Sequence, residues 1–226
     1  NQLSSSLVLK RIMNLPFSRL LVVVGLFLSS SALTPEECQP LLTPLSLDDP
    51  SVMYNRSNFI AGYTNNDIYN GILKVTQSSW LKLTPTSNSK VVVMSQENMI
   101  NGACFASAVN VTIDGNTATT SIGNISSSLH LLPSCEGCLL FSIESTVRDL
   151  DKVLQFMKLN STVIVEEHNV RALYLMARES MVKDSDLEHF KQQASCLGFS
   201  GEPDFHYDPK NGNTPVRPNQ ETNMIF

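Results

Sequence analysis

The chain has 226 residues, enough for one large or two small domains, and its hydrophobic fraction of 42% is that of an ordinary globular protein. It carries 21 acidic and 16 basic residues, which gives a formal net charge of −5 at pH 7. This acidic balance argues against nucleic acid or anionic lipid as a partner, because both present dense negative charge.

The N-terminal 32 residues have the pattern of a targeting segment. Residues 1–12 are interpreted as translated upstream sequence, because Met13 opens a stretch with a basic residue, an apolar run and small residues ending at Ala32. This order predicts a signal peptide over residues 13–32. A retained membrane anchor is the alternative, although the apolar run is about half the length needed to cross a bilayer. Removal of the segment leaves 13 basic and 21 acidic residues in a chain of 194.

After a proline-rich lead-in, the sequence turns into short β-rich runs separated by Asn, Gly and Ser. It predicts eight strands, over residues 57–64, 71–85, 89–99, 102–113, 117–132, 138–145, 162–168 and 170–179. Asp114-Gly115-Asn116 predicts a tight hairpin turn, because Asp-Gly readily adopts positive φ. Residues 147–159 have a more helical pattern. Strands at this spacing predict a closed antiparallel barrel or a sandwich.

The last predicted strand is apolar on both faces. One face carries Ala172, Tyr174 and Met176, and the other carries Leu173, Leu175 and Ala177. A sheet with one solvated face has polar residues on that face, so this strand must be covered on both sides.

A helix that begins near Ser185 is predicted to supply the outer cover. Ser185 and Glu188 match a capping box, and Gly198 is placed to end the helix in left-handed geometry. The apolar face of this helix comprises Leu187, Phe190, Ala194 and Leu197. Packing against its own sheet is the prediction, and a membrane or partner helix is the alternative. The polar, proline-broken residues 209–226 are predicted to be disordered.

Cysteines and glycosylation sequons favour an extracellular protein. The five cysteines are Cys38, Cys104, Cys135, Cys138 and Cys196, an odd number that leaves at least one without a disulfide partner in the chain. The closely spaced pair Cys135 and Cys138 predicts a small disulfide at a hairpin tip, with a redox pair or half a zinc site as alternatives. Sequons begin at Asn55, Asn110, Asn124 and Asn160.

No catalytic or metal-binding motif is present in the sequence. The four histidines lack ligand spacing, and no nucleophile elbow, phosphate-binding loop or zinc-protease motif occurs. The sequence therefore predicts no enzyme, no metal and no cofactor.

Four phrases carry a family resemblance that extends over Cys38 to Asp208: ECQPLLTPLSLDD, NGACF, LHLLPSCEGCLLFSI and VRALYLMARE followed by LEHFKQQASCLGF. The chain resembles lipocalins of the orosomucoid (alpha-1-acid glycoprotein) type, in particular the fish plasma lipocalins described as saxitoxin- and tetrodotoxin-binding proteins, and is also similar to apolipoprotein M. The resemblance implies an all-β fold. Its eight-stranded up-and-down barrel carries one C-terminal helix outside, in a monomeric domain over residues 33–208.

The resemblance also implies a disulfide framework. Orosomucoid-type chains join the cysteines that match Cys38 and Cys196. They join the cysteine that matches Cys104 to one in the C-terminal tail, where this chain has none. Cys104 is therefore predicted to lack a partner within the chain, or to pair with another chain. The sequence also departs from the family where lipocalins usually carry Gly-x-Trp, because the matching place reads Asn55-Arg56-Ser57.

The resemblance implies a secreted carrier of small hydrophobic or amphipathic ligands. Guanidinium toxins are conceivable ligands, and the acidic balance agrees with them. Arg178, at a barrel end, would meet an anionic head group or stay exposed. The candidate pocket residues are Tyr63, Trp80, Phe105, Phe141, Tyr174, Met176 and Arg178.

Three alternatives to the carrier stay open. Tyr174 and Met176 would fill a solid core if the barrel is not hollow. A lipoprotein-associated or immunomodulatory plasma protein would act through its surface. Prostaglandin-synthase-like chemistry would require Cys104 to be reactive and inward-facing.

Overall fold

The computed structural model describes residues 33–148, 151, 154–155, 167–209 and 222–225, the last of these as backbone alone. From Pro35 onward these residues belong to one compact unit. None of the helices within these ranges is both long and apolar enough to cross a bilayer.

The helices and strands follow one another in an order dominated by β-structure. The helices are α1 (Pro35–Leu42), a 3₁₀ turn (Pro50–Met53), α2 (Asp67–Val75) and α3 (Asp184–Cys196). The strands are β1 (Asn55–Thr64), β2 (Thr76–Pro85), β3 (Val91–Ile100), β4 (Ala103–Asp114), β5 (Thr117–Ile122), β6 (Ile125–Leu132), β7 (Cys138–Arg148), β8 (Glu167–Ala177), β9 (Phe205–His206) and β10 (Thr222–Ile225).

Strands β1 to β8 form a closed antiparallel barrel. Each strand pairs with the next along the chain, and β8 pairs back to β1. The short strand β9 adds to β1, and β10 runs parallel to the first half of β4. The predicted up-and-down barrel is confirmed, and the sandwich alternative is wrong.

One predicted strand is divided in the structure. Residues 117–132 form two strands, because Gly123 adopts a positive φ of 54° and turns the chain back on itself. Of the predicted strand 162–168, Glu167 and His168 begin β8, and residues 162–166 lie outside the described ranges. The predicted turn after Asp114 is confirmed, with Gly115 at φ 60°.

The first part of the predicted strand 71–85 is a helix. Asn66 caps α2, because its Oδ1 accepts hydrogen bonds from the backbone N–H groups of Ile68 at 3.0 Å and Tyr69 at 3.2 Å. The apolar residues Ile68, Tyr69, Ile72 and Leu73 then recur at helical spacing. The cap and this spacing override the β-propensity of the segment.

The C-terminal helix α3 covers the outer face of β8. Leu173, Leu175 and Ala177 are buried against Phe190 and Ala194, which confirms that the strand is covered on both sides. Gly198 follows the helix with φ 84°, as predicted. The predicted capping box is wrong, because the helix begins at Asp184 and its N-cap, Lys183, makes no side-chain hydrogen bond to the first turn.

One end of the barrel is closed by the segment that precedes β1. Leu47 and Met53 each expose only 2% of their surface within the interior cluster. The backbone N–H of Leu47 donates to the carbonyl oxygen of Gly115 at 3.1 Å, which holds the segment against the β4–β5 turn. This closure is made without the tryptophan of the family motif.

Residues 209–226 are predicted to be disordered, but part of this segment forms a strand. Thr222–Ile225 form β10, in register with Cys104 to Ser107 of β4. Residues 210–221, residues 1–32 and most of the helix-like stretch 147–159 lie outside the described ranges.

Candidate ligand pocket

The barrel contains a partly enclosed cavity of about 240 Å³ at the end opposite the closed one, beneath α2. This cavity, the inner pocket, has an apolar and aromatic part formed by Phe59, Tyr69, Ile72, Leu73, Leu81, Ile100, Ile125, Tyr174 and Met176. Its polar part is formed by Thr76, Ser79, Gln96 and Asn98. At about 30 Å³ of liquid volume per water molecule, it has room for about eight waters or one small organic molecule.

The structure brings four of the seven predicted pocket residues to the barrel interior. Tyr174 and Met176 line the inner pocket directly. Phe141 pairs across strands with Tyr174 and is buried in the same interior cluster. Phe105 is 1% exposed and pairs with the pocket residue Asn98, which places it on the inner face of β4.

Tyr63 lies outside the barrel, contrary to the prediction. The pairing of β1 with β8 shifts register between Phe59 and Ala61, and this irregularity changes which residues face inward. The ring of Tyr63 packs against Phe190 of α3 at 5.4 Å, and its hydroxyl donates to the carbonyl of Gly201 at 2.9 Å. Tyr63 therefore holds the outer helix and its following loop.

Trp80 also points outward, because its neighbours Ser79 and Leu81 on β2 line the pocket. The guanidinium of Arg56 lies 4.4 Å from the indole centroid, and the indole Nε1 donates to Glu97 Oε2 at 3.1 Å. Fluorescence from this tryptophan reports on the outer surface of the barrel.

Arg178 lies at the closed end, away from the inner pocket. Its backbone N–H donates to the carbonyl of Gly137 at 3.1 Å, and its side chain borders a separate space of only about 50 Å³ beside Met53 and Ser57. Arg178 is exposed and does not line the inner pocket, which agrees with the second of its two predicted alternatives, an exposed arginine at the strand end. Alternation along β8 does not reveal which barrel end is open.

Helix α2 and the segment around Asp204 supply pocket contacts that sequence reasoning missed. Asp204 accepts hydrogen bonds from the backbone N–H of Thr64 at 2.8 Å and from the side-chain amide of Asn70 in α2. The next residue, Phe205, stacks on the pocket residue Phe59 with centroids 4.4 Å apart. The helical spacing after Asn66 is a sequence signal for α2, which covers the pocket and is called the lid below. No local sequence pattern marks Asp204 as a residue that contacts this helix.

The inner pocket is electrically neutral among the described residues that line it. Burial raises the pKa of Tyr69 to about 12 and also raises the pKa of Tyr174, so both hydroxyls stay protonated near neutral pH. The lining contains no carboxylate and no basic side chain. Across the described part of the chain, no cluster of three or more His, Cys, Asp or Glu residues is arranged to hold a metal ion.

A larger depression of about 540 Å³ lies on the outer face of β5 to β8. It is lined by rows of Ser and Thr side chains with Glu144, Asn169 and Arg171, and it lacks an apolar wall. The inner pocket, with its largely apolar lining, is the better candidate for a small organic ligand, since such sites are concave and mostly apolar.

Solved structures share this barrel and helix, although no family profile and no curated protein matches the sequence. A siderocalin, Ex-FABP, described as functioning through dual ligand specificities, is 9% identical with a TM-score of 0.53, over 70% of this chain and 95% of its own. The odorant-binding protein OBP1 is 9% identical with a TM-score of 0.53, over 76% and 99%. The bovine lipocalin allergen Bos d 2 is 15% identical with a TM-score of 0.50, over 74% and 99%. The fold is that of the lipocalins.

Two disulfides lie on the outside of this lipocalin barrel. Cys38 of α1 is bonded to Cys196 at the end of α3, and Cys135 is bonded to Cys138 in the turn before β7. Cys104 is 2% exposed, so a bond between its sulfur and another chain would require the structure to open. Cys104 precedes the inward-facing Phe105 on β4, so its thiol points to the outer face of the strand, away from the pocket. This direction disfavours a catalytic role for the thiol in the pocket.

Three of the four sequons are accessible on the lipocalin barrel. Asn55 lies at the closed end, Asn110 lies on the outer face of β4, and Asn124 lies in the β5–β6 turn, and all three are exposed. Asn160 is outside the described residues.

Proposed function

We propose that the protein is a secreted, glycosylated carrier that binds small, uncharged, amphipathic molecules reversibly and performs no reaction on them. The observation that carries this proposal is the partly enclosed cavity of about 240 Å³, with an aromatic and thioether wall, a polar wall and no charged side chain among its described lining residues. When a ligand enters the pocket, its apolar surface is removed from water. This burial favours binding without covalent chemistry.

Secretion and glycosylation are supported by independent features. The sequence has the pattern of a signal peptide over residues 13–32, and three sequons are exposed on the folded domain. Two disulfides are typical of proteins that fold in an oxidising compartment. The resemblance to orosomucoid-type plasma lipocalins points to the same extracellular role.

Guanidinium toxins are weaker candidates than uncharged ligands. A buried cation needs an opposite charge or several hydrogen-bond acceptors to offset its lost hydration. Glu97 is the acidic residue on β3, and it faces outward to Trp80. The polar wall of the inner pocket instead offers amide and hydroxyl groups, which suit neutral partners.

Binding of the neutral fluorescent probe N-phenyl-1-naphthylamine to the protein without its first 32 residues tests the proposal. We expect saturable binding with one site per chain. Leu81→Trp fills the pocket and is expected to abolish that binding, whereas Lys82→Trp places the same ring on the outer face of β2 and is expected to preserve it. Circular dichroism checks that both variants fold. Equal binding by the two variants, or no saturable binding by the parent protein, would refute the carrier.

A further inference from the structure

Four polar side chains form one patch on the inner surface of β2, β3 and β4. This patch, the polar wall, comprises Ser79, Gln96, Asn98 and Ser107. Ser79 pairs across strands with Asn98, and Gln96 pairs with Ser107. Because directly paired residues share a face of the sheet, Ser107 points inward like its pocket-lining partner Gln96.

The polar wall has unused hydrogen-bonding capacity. Ser79 donates to Asn98 Oδ1 at 2.7 Å, which leaves the amide nitrogen of Asn98 without a hydrogen-bond partner among the described residues. The amide of Gln96 makes no hydrogen bond within the same set of residues. The hydroxyl of Ser107 is buried, with the residue 5% exposed, and it too has no partner there.

The Ser107 hydroxyl is fully buried, whereas the amides of Gln96 and Asn98 are partly exposed to the pocket. A ligand that replaces water beside these amides must complete their hydrogen bonds. A side-chain amide offers two N–H donors and one carbonyl acceptor, and a hydroxyl offers both roles. The polar wall can therefore meet a ligand edge that carries a donor beside an acceptor. Such an edge need not be charged.

The facing side of the pocket has different chemistry. Tyr174 and Met176 project from β8, which is four strands from β4 around the barrel, and Phe59 projects from β1 beside them. The rings of Phe59 and Tyr174 lie 4.8 Å apart. This side presents aromatic and thioether surface suited to a ring.

We propose that the polar wall selects uncharged, ring-containing ligands that carry a hydrogen-bonding edge, such as a carboxamide, a lactam or a hydroxyl next to a carbonyl. The edge binds the side-chain amides of Gln96 and Asn98, and the ring lies against Phe59, Tyr174 and Met176. This inference rests on the proposed carrier function and specifies its ligand class.

Four naphthalenes that share one ring and differ in one substituent test the ligand class. They are 2-naphthamide, 2-isopropylnaphthalene, 2-naphthoate and 2-naphthamidine, and binding to the unmodified protein is measured by titration calorimetry. We expect the amide to bind about five- to tenfold more tightly than the isopropyl compound, the range that one or two neutral hydrogen bonds provide. The anion and the amidinium cation are expected to bind more weakly than the amide, because a neutral wall does not replace their hydration.

Variants of the wall test whether these residues cause the selection. Gln96→Met and Asn98→Leu keep approximate side-chain volume and remove the amides, so the preference for 2-naphthamide over 2-isopropylnaphthalene should fall to about equality. The thermal midpoint of Gln96→Met should be unchanged or raised, because the Gln96 amide has no partner among the described residues, whereas Asn98→Leu also removes the acceptor of Ser79 and is not used for this readout. A purely structural role for Gln96 would lower that midpoint. Gln192→Met makes the same chemical change as Gln96→Met at an exposed position of α3 and should preserve the preference.

The outcomes separate the two proposals. If the isopropyl compound binds as tightly as the amide, or a charged compound binds most tightly, the polar wall does not select the ligand and the carrier still stands. If the amide preference survives both wall variants, the assignment to Gln96 and Asn98 is overturned. If none of the four compounds and no N-phenyl-1-naphthylamine binds, the carrier itself fails.

Discussion

Gly62 is the point at which β1 passes closest to the aromatic side chains of the barrel interior. A Cβ atom at this position would lie 2.5 Å from Phe59 Cζ and 2.9 Å from Tyr174 Cδ1. Both rings are held by other contacts, since Phe59 stacks on Phe205 at 4.4 Å and packs on Tyr174 at 4.8 Å. The absence of a side chain is thus required for these rings to meet beside the pocket.

Gly62→Ala is expected to lower the free energy of unfolding by about 1–3 kcal/mol, because it overpacks the interior. Gly71→Ala is the matched control, since a Cβ there meets no atom within 4 Å and the residue lies inside α2. That change should stabilise the protein by up to about 1 kcal/mol through helix propensity. Urea unfolding of the two variants measures both effects, and an equal response to the two substitutions would contradict the packing argument.

The buried tyrosines make the protein sensitive to alkaline pH. Burial raises the pKa of Tyr69 from 10.0 to about 12, so the unfolded chain releases the phenolic proton at lower pH than the folded chain does. The stabilising contribution is complete below pH 10 and is lost as the pH rises to about 12. At about 1.4 kcal/mol per pKa unit, Tyr69 alone accounts for a loss of up to about 3 kcal/mol.

We therefore expect the free energy of unfolding to fall between pH 10 and about 12, and to fall less steeply in Tyr69→Phe. Urea unfolding at a series of pH values measures the slope. Identical slopes for the parent and Tyr69→Phe would contradict a raised pKa at Tyr69.

At the scale of elements, the strand pattern predicts a barrel or a sandwich and the family resemblance favours the barrel, but neither gives the direction of every side chain. Tyr174 and Met176 face the pocket because β8 is regular throughout its pairing with β7. Tyr63 faces outward because β1 contains an irregularity, and a strand pattern does not record a shift of one residue.

Helix α2, the lid over the pocket, shows a second limit of prediction from local sequence patterns. Gly71–Val75 has β-propensity, and the segment is helical because Asn66 caps it and its apolar residues pack over the barrel mouth. The bond between Asp204 and Asn70 joins residues 134 positions apart, and no local signal predicts such a partner.

Asp204 is expected to hold the α2 lid over the pocket. Asp204→Ala removes the acceptor for Thr64 N–H and for the side chain of Asn70. Loss of about one or two net hydrogen bonds should make amide exchange in α2 about tenfold faster and ligand dissociation faster as well.

Hydrogen exchange resolved over residues 67–75 measures the lid in this variant. Glu202→Gln is the control, because that nearby carboxylate binds the Lys191 ammonium of α3 at 2.9 Å and has no bond to α2. A surface ion pair of this kind contributes about 0–1 kcal/mol, so exchange in α2 should not change. If Asp204→Ala leaves α2 exchange at the parent rate, Asp204 does not hold the lid.

At the scale of the whole molecule, the N-terminal helix α1, the barrel and α3 are joined on one side of the barrel. Gln193 of α3 is 1% exposed, and its side-chain amide donates to the carbonyl of Leu41 at 2.9 Å and to that of Pro133 at 2.8 Å. The disulfide between Cys38 and Cys196 reinforces this junction. Both lie outside the barrel, so the interior cluster and the pocket do not depend on them for shape.

The disulfide that closes the longer loop should therefore contribute more to stability, because the entropy of loop closure grows with the logarithm of loop length. Cys38 and Cys196 are 158 residues apart, whereas Cys135 and Cys138 are 3 apart. The chain-entropy relation gives about 5 kcal/mol for the long loop and about 2 kcal/mol for the short one. Replacing Cys38 and Cys196 together by Ala should lower the free energy of unfolding by several kcal/mol more than replacing Cys135 and Cys138 by Ala, and both variants should still bind N-phenyl-1-naphthylamine. Urea unfolding with probe titration measures the two quantities, and loss of binding by a Cys38→Ala, Cys196→Ala protein that remains folded would show that the bond shapes the pocket.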